Sequence, residues 1–307
     1  MMTDLLVDGN SVYARAWYAV MKRSATEPKE VLRAAIWSVL TLLNPKRLGH
    51  RVDRVLFAWD GQNKRDKGRE PKSPEYYHTL ELLIQYLSFL FQPAHAWSAD
   101  WEADDVVATA VKMSKAQMIY VASGDKDLQQ LAGTNVHYYC LNHKAVLPNR
   151  MLCDRWHVKE PNQIAIALAI IGDRNDGIAG VYGWGPKRVQ KVFAEVPQEA
   201  SLEEALIIVE KQIPKKFLNN FYHDLDLTLL HNDLPGIAEP QILQMAPPLA
   251  VTELKLPDFL DAYRYVYEIY EKPKTTYRAR TMPKFLQRDL EREDGDGPAS
   301  GTVPVSG

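Results

Sequence analysis

Three short apolar runs in this chain each hand over directly to an aspartate. Leu5-Leu6-Val7 ends at Asp8, Val55-Leu56-Phe57-Ala58-Trp59 ends at Asp60, and Met118 to Ser123 ends at Gly124-Asp125-Lys126-Asp127. Runs this short and this apolar read as strands buried on both faces, with Val136 to Cys140 as a weaker fourth. Helical patterns lie between them at Glu30 to Leu43, Tyr76 to Phe91 and Trp101 to Met113. Strands alternating with helices predict an α/β unit with a mainly parallel sheet flanked by helices. In such sheets the functional crevice lies at the carboxyl ends of the strands, so three strands deliver acids to one edge. One aspartate after a strand is usually a turn residue or a helix cap. Three of them, the last paired with a second acid, constrain the reading much further.

Beyond about Pro161 the pattern becomes helical. The apolar stretch Ile164 to Ile171 stops at Gly172, GVYGWGPKRVQKVF follows, and helical segments continue to about Tyr270. The end of the chain is acidic and then rich in Gly, Pro and Ser, a composition that favours disorder. The expected organisation is therefore an α/β core over 1–160, a helical region over 161–285 and a disordered tail over 286–307.

Composition excludes little. The 307 residues are 46% hydrophobic and 25% charged, ordinary for a globular protein. No apolar run approaches the ~20 residues needed to cross a bilayer, so no membrane partner is expected. The start, MMTDLLVDGN, lacks a basic n-region and a cleavage site, so export is not expected and a cytoplasmic location is. Cys140 and Cys153 stand outside any metal-ligand spacing and read as reduced structural thiols. The net charge of −2 gives no hint of a polyanionic partner, but the charges are segregated. Lys64, Arg65, Lys67, Arg69 and Lys72 crowd one segment, while acids gather near Glu102, Asp125 and Asp173. That suits cations held in one place with phosphates beside it, and equally a solvated basic loop.

Two further acid groups join the strand ends. In Trp101-Glu102-Ala103-Asp104-Asp105, Asp100 reads as the N-cap, which puts Glu102, Asp104 and Asp105 in the first turns of a helix. Acids there complement the helix dipole. Crowded like charges next to the apolar Val106-Val107-Ala108 are nonetheless costly unless a cation neutralises them. In Gly172-Asp173-Arg174-Asn175-Asp176-Gly177 two aspartates stand three apart between glycines, as in a capping loop or a cation-binding turn. Nine acids from five segments make an all-oxygen donor set suited to Mg²⁺ or Mn²⁺. Two such ions about 3.5–4 Å apart can activate water and stabilise a leaving oxygen in phosphoryl displacement.

The stretch Gly180-Val181-Tyr182-Gly183-Trp184-Gly185-Pro186-Lys187-Arg188 reads as a helix–hairpin–helix turn, or more plainly as a glycine-rich loop between helices. Gly183 and Gly185 permit close backbone approach, Pro186 suits the first helical position, and the next helix aims free N–H groups at an anion. Lys187 and Arg188 add charge, and such a turn recognises phosphate backbone rather than base sequence. Tyr13, Trp17 and Tyr18 could stack on a base, but aromatic residues at helical spacing favour core.

Taken together, LLVDGN, FAWDG, WEADDVVA, ASGDKDLQQL and GDRNDGIAGVYGWGPKRV resemble the flap endonuclease / 5′–3′ exonuclease family, in the family's order and over roughly Leu5 to Val192. That family includes bacteriophage nucleases and the N-terminal nuclease domain of bacterial DNA polymerase I. The resemblance implies a PIN-like core followed by a helix–hairpin–helix DNA-binding region. It also implies two metal sites. Asp8, Asp60, Glu102 and Asp104 would form one, with Asp105 nearby; Asp125, Asp127, Asp173 and Asp176 would form the other. A potassium ion between backbone and phosphate is implied around Val181 to Gly185. Lys67 matches the family's catalytic lysine, and Arg65 or Arg69 its arginines, in an arch segment near 61–75. That segment is shorter here than in the family, which leaves the geometry of a threading arch open. No polymerase portion follows, so a free-standing nuclease is expected, acting on a DNA duplex with a 5′ end, flap or primer. The alternatives are a PIN-like ribonuclease, against which the hairpin argues, and a non-catalytic DNA-binding scaffold, against which the intact acid set argues.

Overall fold

The computed structural model describes residues 2–21, 28–43, 45–49, 52–61, 72–91 and 94–234. The basic segment with Arg65, Lys67 and Arg69 lies outside them, as do residues 235–285 of the helical region and the tail over 286–307. In chain order the elements are β1 (Thr3–Asp8), α1 (Gly9–Met21), α2 (Pro28–Leu43), α3 (Pro45–Leu48), β2 (Arg54–Ala58), α4 (Pro74–Phe91), β3 (Ala94–Ala96), α5 (Ala103–Met113), β4 (Met118–Ser123), β5 (Val136–Cys140), β6 (Ala145–Leu147), α6 (Asn149–Trp156), α7 (Ile164–Ile171), α8 (Pro186–Phe193), α9 (Leu202–Glu210) and α10 (Leu218–Thr228). The strands form one sheet in the order β3-β2-β1-β4-β5-β6, parallel except for the antiparallel edge strand β6.

Side chains alternate across a strand, and here both faces are dry. Leu5, Val7, Val55, Phe57 and Tyr120 face one core with α1, α2 and α4. Leu6, Leu56, Ile119 and Val121 face a second core, shared with α5 and with the helices after Pro161. The change of sequence character near Pro161 is thus not a break in packing, since Ile164 to Ile170 are all buried in the core that covers the sheet. Among the described residues no helix is long and apolar enough to cross a membrane.

The three strands expected to end in acids sit side by side in the centre of the sheet, which brings Asp8, Asp60 and Asp125 to one edge. The strands β3 and β6 are not legible in the sequence, because three residues carry no periodicity. Of the aromatic group on α1, Tyr13 and Trp17 are core, with Tyr13 packing edge-on against Tyr76 at 4.7 Å between centroids. Tyr18 departs from that expectation. It points to solvent with 45% of its surface exposed, because it lies about 100° round the helix from Trp17.

The loop after β4 is held from beneath by Leu128, fully buried in the 3-10 turn Asp127–Leu131. Leu128→Ala is expected to cost about 2–5 kcal/mol by leaving a cavity under this acid loop. Urea denaturation should show a lower midpoint at unchanged slope; an unchanged midpoint would mean the loop does not depend on the core below it.

Candidate metal centre

Asp8 closes β1 and caps α1. Its Oδ1 accepts a hydrogen bond from Ser11 N at 2.9 Å, as short acids do at helix N-termini. Its Oδ2 accepts one from Ser123 Oγ at 2.7 Å, and the same Oγ accepts from Asp125 N at 2.9 Å. One serine at the end of β4 therefore ties the acids of two neighbouring strands. Burial pushes the Asp8 carboxyl up to about 7, the bonds from Ser123 and Ser11 oppose that rise, and the charges of Asp125 and Asp60 add to it.

Asp60 lies just past β2. Its N–H donates to Asn10 Oδ1 at 2.9 Å, and its own Oδ1 accepts from Ala103 N, the first residue of α5, at 3.0 Å. The carboxylate thus caps α5 from a distant part of the chain, where the helix dipole favours an anion. The sequence pattern puts the cap at Asp100 and Glu102 inside the helix; instead Glu102 occupies the N-cap position and makes no capping bond with its side chain. The reason is tertiary. The Trp101 carbonyl accepts from Gly61 N at 2.9 Å, and Gly61 lies so tightly against Ser98 and Ala99 that no side chain fits, which holds 98–101 in a turn. Asp104 is half-buried in the first turn of α5. Asp105 is buried, and its Oδ1 accepts from His231 N at 2.8 Å.

The remaining acids sit on two loops. Asp127 N donates to Asp125 Oδ1 at 3.0 Å, and the buried Tyr138 hydroxyl lies 2.9 Å and 2.6 Å from the carbonyls of Ser123 and Asp125. Lys126 Nζ pairs with Asp173 Oδ2, joining this loop to the one after α7. That second loop is closed by Asp173 N and Ile178 N, which bond to the opposite carbonyls at 2.8 Å. Gly172 (φ +82) and Gly180 (φ +75) brace it, each so near neighbouring backbone that a Cβ would stand 2.8 Å from it. Asp176 is buried in the same loop.

Hydrogen bonds therefore link all five acid-bearing segments: β1 to β4 through Ser123, β1 to β2 through Asn10, β2 to α5 through Asp60, and the 125–127 loop to the 172–178 loop through Lys126. Among the described residues no three His, Cys, Asp or Glu side chains are grouped closely enough to share one cation. The carboxylates of Asp8, Asp60, Asp104, Asp105, Asp125 and Asp173 each accept from a protein donor. What the edge offers is chemistry that fits a hard cation: oxygen donors only, partly desolvated, with mutual repulsion that raises Asp8 and one ammonium, Lys126, set among them.

The glycine turn follows directly. Gly180 N donates to Asp224 Oδ2 at 2.7 Å, Val181 N to Ile170 O at 2.8 Å and Trp184 N to Val181 O at 2.9 Å. Gly185 is the N-cap of α8, with Pro186 at its first turn. A Cβ at Gly183 or Gly185 would meet nothing within 4 Å, so this side of the turn is open. Lys187 and Arg188 are exposed beside it, the Arg188 guanidinium 4.5 Å from the Trp184 ring centroid.

Residues 3–160 match the family model described as 5′-3′ exonuclease, N-terminal resolvase-like domain. The chain belongs to the 5′–3′ exonuclease family. One relative, the 5′-3′ exonuclease of Aquifex aeolicus (strain VF5), is 26% identical over 274 residues, covering 83% of this chain and 93% of that protein. DNA polymerase I of Bacillus subtilis (strain 168) is 29% identical over 248 residues, 76% of this chain. The match spans only 27% of that polymerase's length. Among solved structures, the bacteriophage T5 flap endonuclease in a pseudo-enzyme–product complex with DNA and metal ions aligns with a TM-score of 0.54 at 17% identity, covering 88% of this chain and 99% of that one. The shared fold is the PIN-like sheet expected from the sequence.

Asn10, Ser11, Ser123, Tyr138 and Asp224 orient these segments and do not stand out in the sequence. Ser11 alone carries a local signal, three residues after an aspartate that ends a strand. The raised Asp8 carboxyl has a consequence for metal-free protein. An unfolded Asp8 ionises near 4 while the folded one holds its proton to about 7, so its burial costs stability progressively as pH rises from 4 to 7, by roughly 3–5 kcal/mol above that window. Asp8→Asn should therefore raise Tm in EDTA at pH 8, with a margin that shrinks as pH falls below 7 and closes near 4. Thermal unfolding across that pH range checks it, and a margin independent of pH would refute it.

Proposed function

We propose that this 5′ nuclease hydrolyses phosphodiester bonds at 5′ ends or flaps of duplex DNA, and RNA primers on DNA, using two divalent cations, Mg²⁺ or Mn²⁺, held at the acid edge. The observation that carries this reading is the hydrogen-bonded linkage of five acid-bearing segments at the carboxyl end of one parallel sheet, around a buried Asp8. The T5 enzyme of the same fold, described with DNA and metal ions, supports it.

In this reading Asp8, Asp60, Glu102 and Asp104 would hold one cation, drawn closer together than they stand in the metal-free chain, and Asp125, Asp127, Asp173 and Asp176 would hold the other. Such cations would supply activation of water and neutralisation of charge on the attacked phosphate and the leaving oxygen. Ser11 and Ser123 bond the Asp8 carboxylate and Asn10 bonds the Asp60 N–H, which fixes the strand ends from which these acids reach the cations. The open side of the turn at Gly183 and Gly185, the N-terminus of α8, Lys187 and Arg188 grip the phosphate backbone of the duplex, and residues around Val181 to Gly185 would hold a K⁺ ion there. Arg65, Lys67 and Arg69 supply positive charge to the scissile phosphate. A PIN-like ribonuclease has no use for such a turn, and a non-catalytic scaffold none for the acids.

Asp125→Asn should nearly abolish cleavage of a labelled flap duplex in Mg²⁺ while the circular dichroism spectrum is unchanged. Unaltered protein should cut that duplex in Mg²⁺ but not in EDTA, and should leave single-stranded RNA intact. Undiminished turnover by the variant at saturating Mg²⁺ would remove Asp125 from the site.

Joint replacement Lys187→Ala, Arg188→Ala should weaken duplex binding and flatten its salt dependence. The log–log slope should fall by roughly 0.9 for each phosphate that the variant no longer neutralises. Fluorescence anisotropy at several salt concentrations reads this, and an unaltered slope would mean that the turn does not face the duplex.

A further inference from the structure

We infer that Asp105 binds no cation and instead anchors a strap, residues 229–234, that holds the acid-bearing start of α5 against the rest of the site. This inference rests on the two-cation reading above and refines it.

The strap follows α10 and runs along one face of α5. His231 N donates to Asp105 Oδ1 at 2.8 Å, and Leu234 N to Thr109 Oγ1 at 3.4 Å. Thr109 Oγ1 lies 3.5 Å from the His231 carbonyl, and Lys112 Nζ reaches Asn232 Oδ1 at 3.4 Å and Asp233 at 3.5 Å. Positions 105, 109 and 112 are four and three apart, so they form one stripe on the helix. The His231 ring packs against Trp101 at 4.7 Å between centroids, just ahead of Glu102, and Leu234 is buried in the core.

The other side of the strap reaches the second acid group. Gln130 Nε2 donates to the carbonyls of Asp127 at 2.8 Å and Thr228 at 2.9 Å, while its Oε1 accepts from Leu230 N at 3.4 Å. The same few residues therefore set α5, which carries Glu102 and Asp104, relative to the turn that carries Asp127. The adjacent acids Asp104 and Asp105 stand about 100° apart around the helix and take different duties. Asp105 lies on the face the strap covers, and its Oδ1 is engaged by a peptide N–H, a charge-assisted bond that fixes the strap's height. As a positioning residue, Asp105 acts on the cations only through Glu102 and Asp104.

The distinction rests on what asparagine can replace. Asn keeps an Oδ1 that accepts from His231 N, but it is a poor substitute for a carboxylate ligand to a hard cation. The experiment measures Mn²⁺ affinity by electron paramagnetic resonance of free Mn²⁺, and hydrogen exchange by mass spectrometry over 229–234, on the full chain. Asp105→Asn should keep both close to the unaltered protein. Asp105→Ala should speed exchange in the strap and lower Mn²⁺ affinity about tenfold or more, as loss of an orienting partner does. Asp104→Asn should lower Mn²⁺ affinity and leave strap exchange alone. If Asp105→Asn loses Mn²⁺ affinity as fully as Asp104→Asn, Asp105 is a ligand and the inference falls. It also falls if Asp105→Ala leaves strap exchange unaltered. If Asp104→Asn itself binds Mn²⁺ normally, the two-cation reading fails, whatever the strap does.

Discussion

Like charges brought to one partly dry edge repel, and much of the architecture around the strand ends serves to hold them there. Burial raises the Asp8 carboxyl, and the charges of Asp125 and Asp60 add to the rise. What keeps the edge together is a set of donors aimed at individual oxygens: Ser11 and Ser123 on Asp8, Ala103 N on Asp60, Asp127 N on Asp125, and Lys126 on Asp173. Each removes part of the unfavourable field without neutralising it. The result is an edge that keeps residual negative charge.

Everything beneath that edge is rigid for a simple reason. A parallel sheet buried on both faces cannot shift register without moving a row of apolar side chains out of two cores at once. β1, β2 and β4 are each paired on both sides, so the acids that end them stand on interior strands of the sheet. The glycine turn is tied to the same frame. Asp224, buried on α10, accepts from Gly180 N, and Val181 N bonds back to α7. The glycine turn and the acid edge are thereby parts of one packed body, because α7 lies in the core that covers the sheet.

The strand ends are readable because burial on both faces leaves a dense local signature, an apolar run with an acid after it. Helices α2 and α4 are readable because their apolar positions repeat every three to four residues over many turns. What escapes a reading of the sequence has no local signature. The start of α5 moves from Trp101 to Ala103 because Gly61 claims the Trp101 carbonyl, forty residues away in sequence. Likewise Asn10, Tyr138 and Asp224 are ordinary as letters, and matter only because folding places them against Asp60, the Ser123–Asp125 loop and Gly180.

The sequence by itself determined the fold class, the family and the identity of the acids, since strand burial and residue chemistry are encoded within a few positions of one another. Which donor each of those acids faces was settled only by tertiary packing. Asp104 and Asp105 are neighbours with the same side chain; Asp104 accepts from the adjacent Asp105 N, whereas Asp105 accepts from His231 N, brought there by residues 229–234 from the far end of the described chain. Asp60 caps a helix it does not belong to, for the same reason. A carboxylate's charge is written in the sequence; which donor turns it, and therefore which way it faces, depends on what is packed beside it.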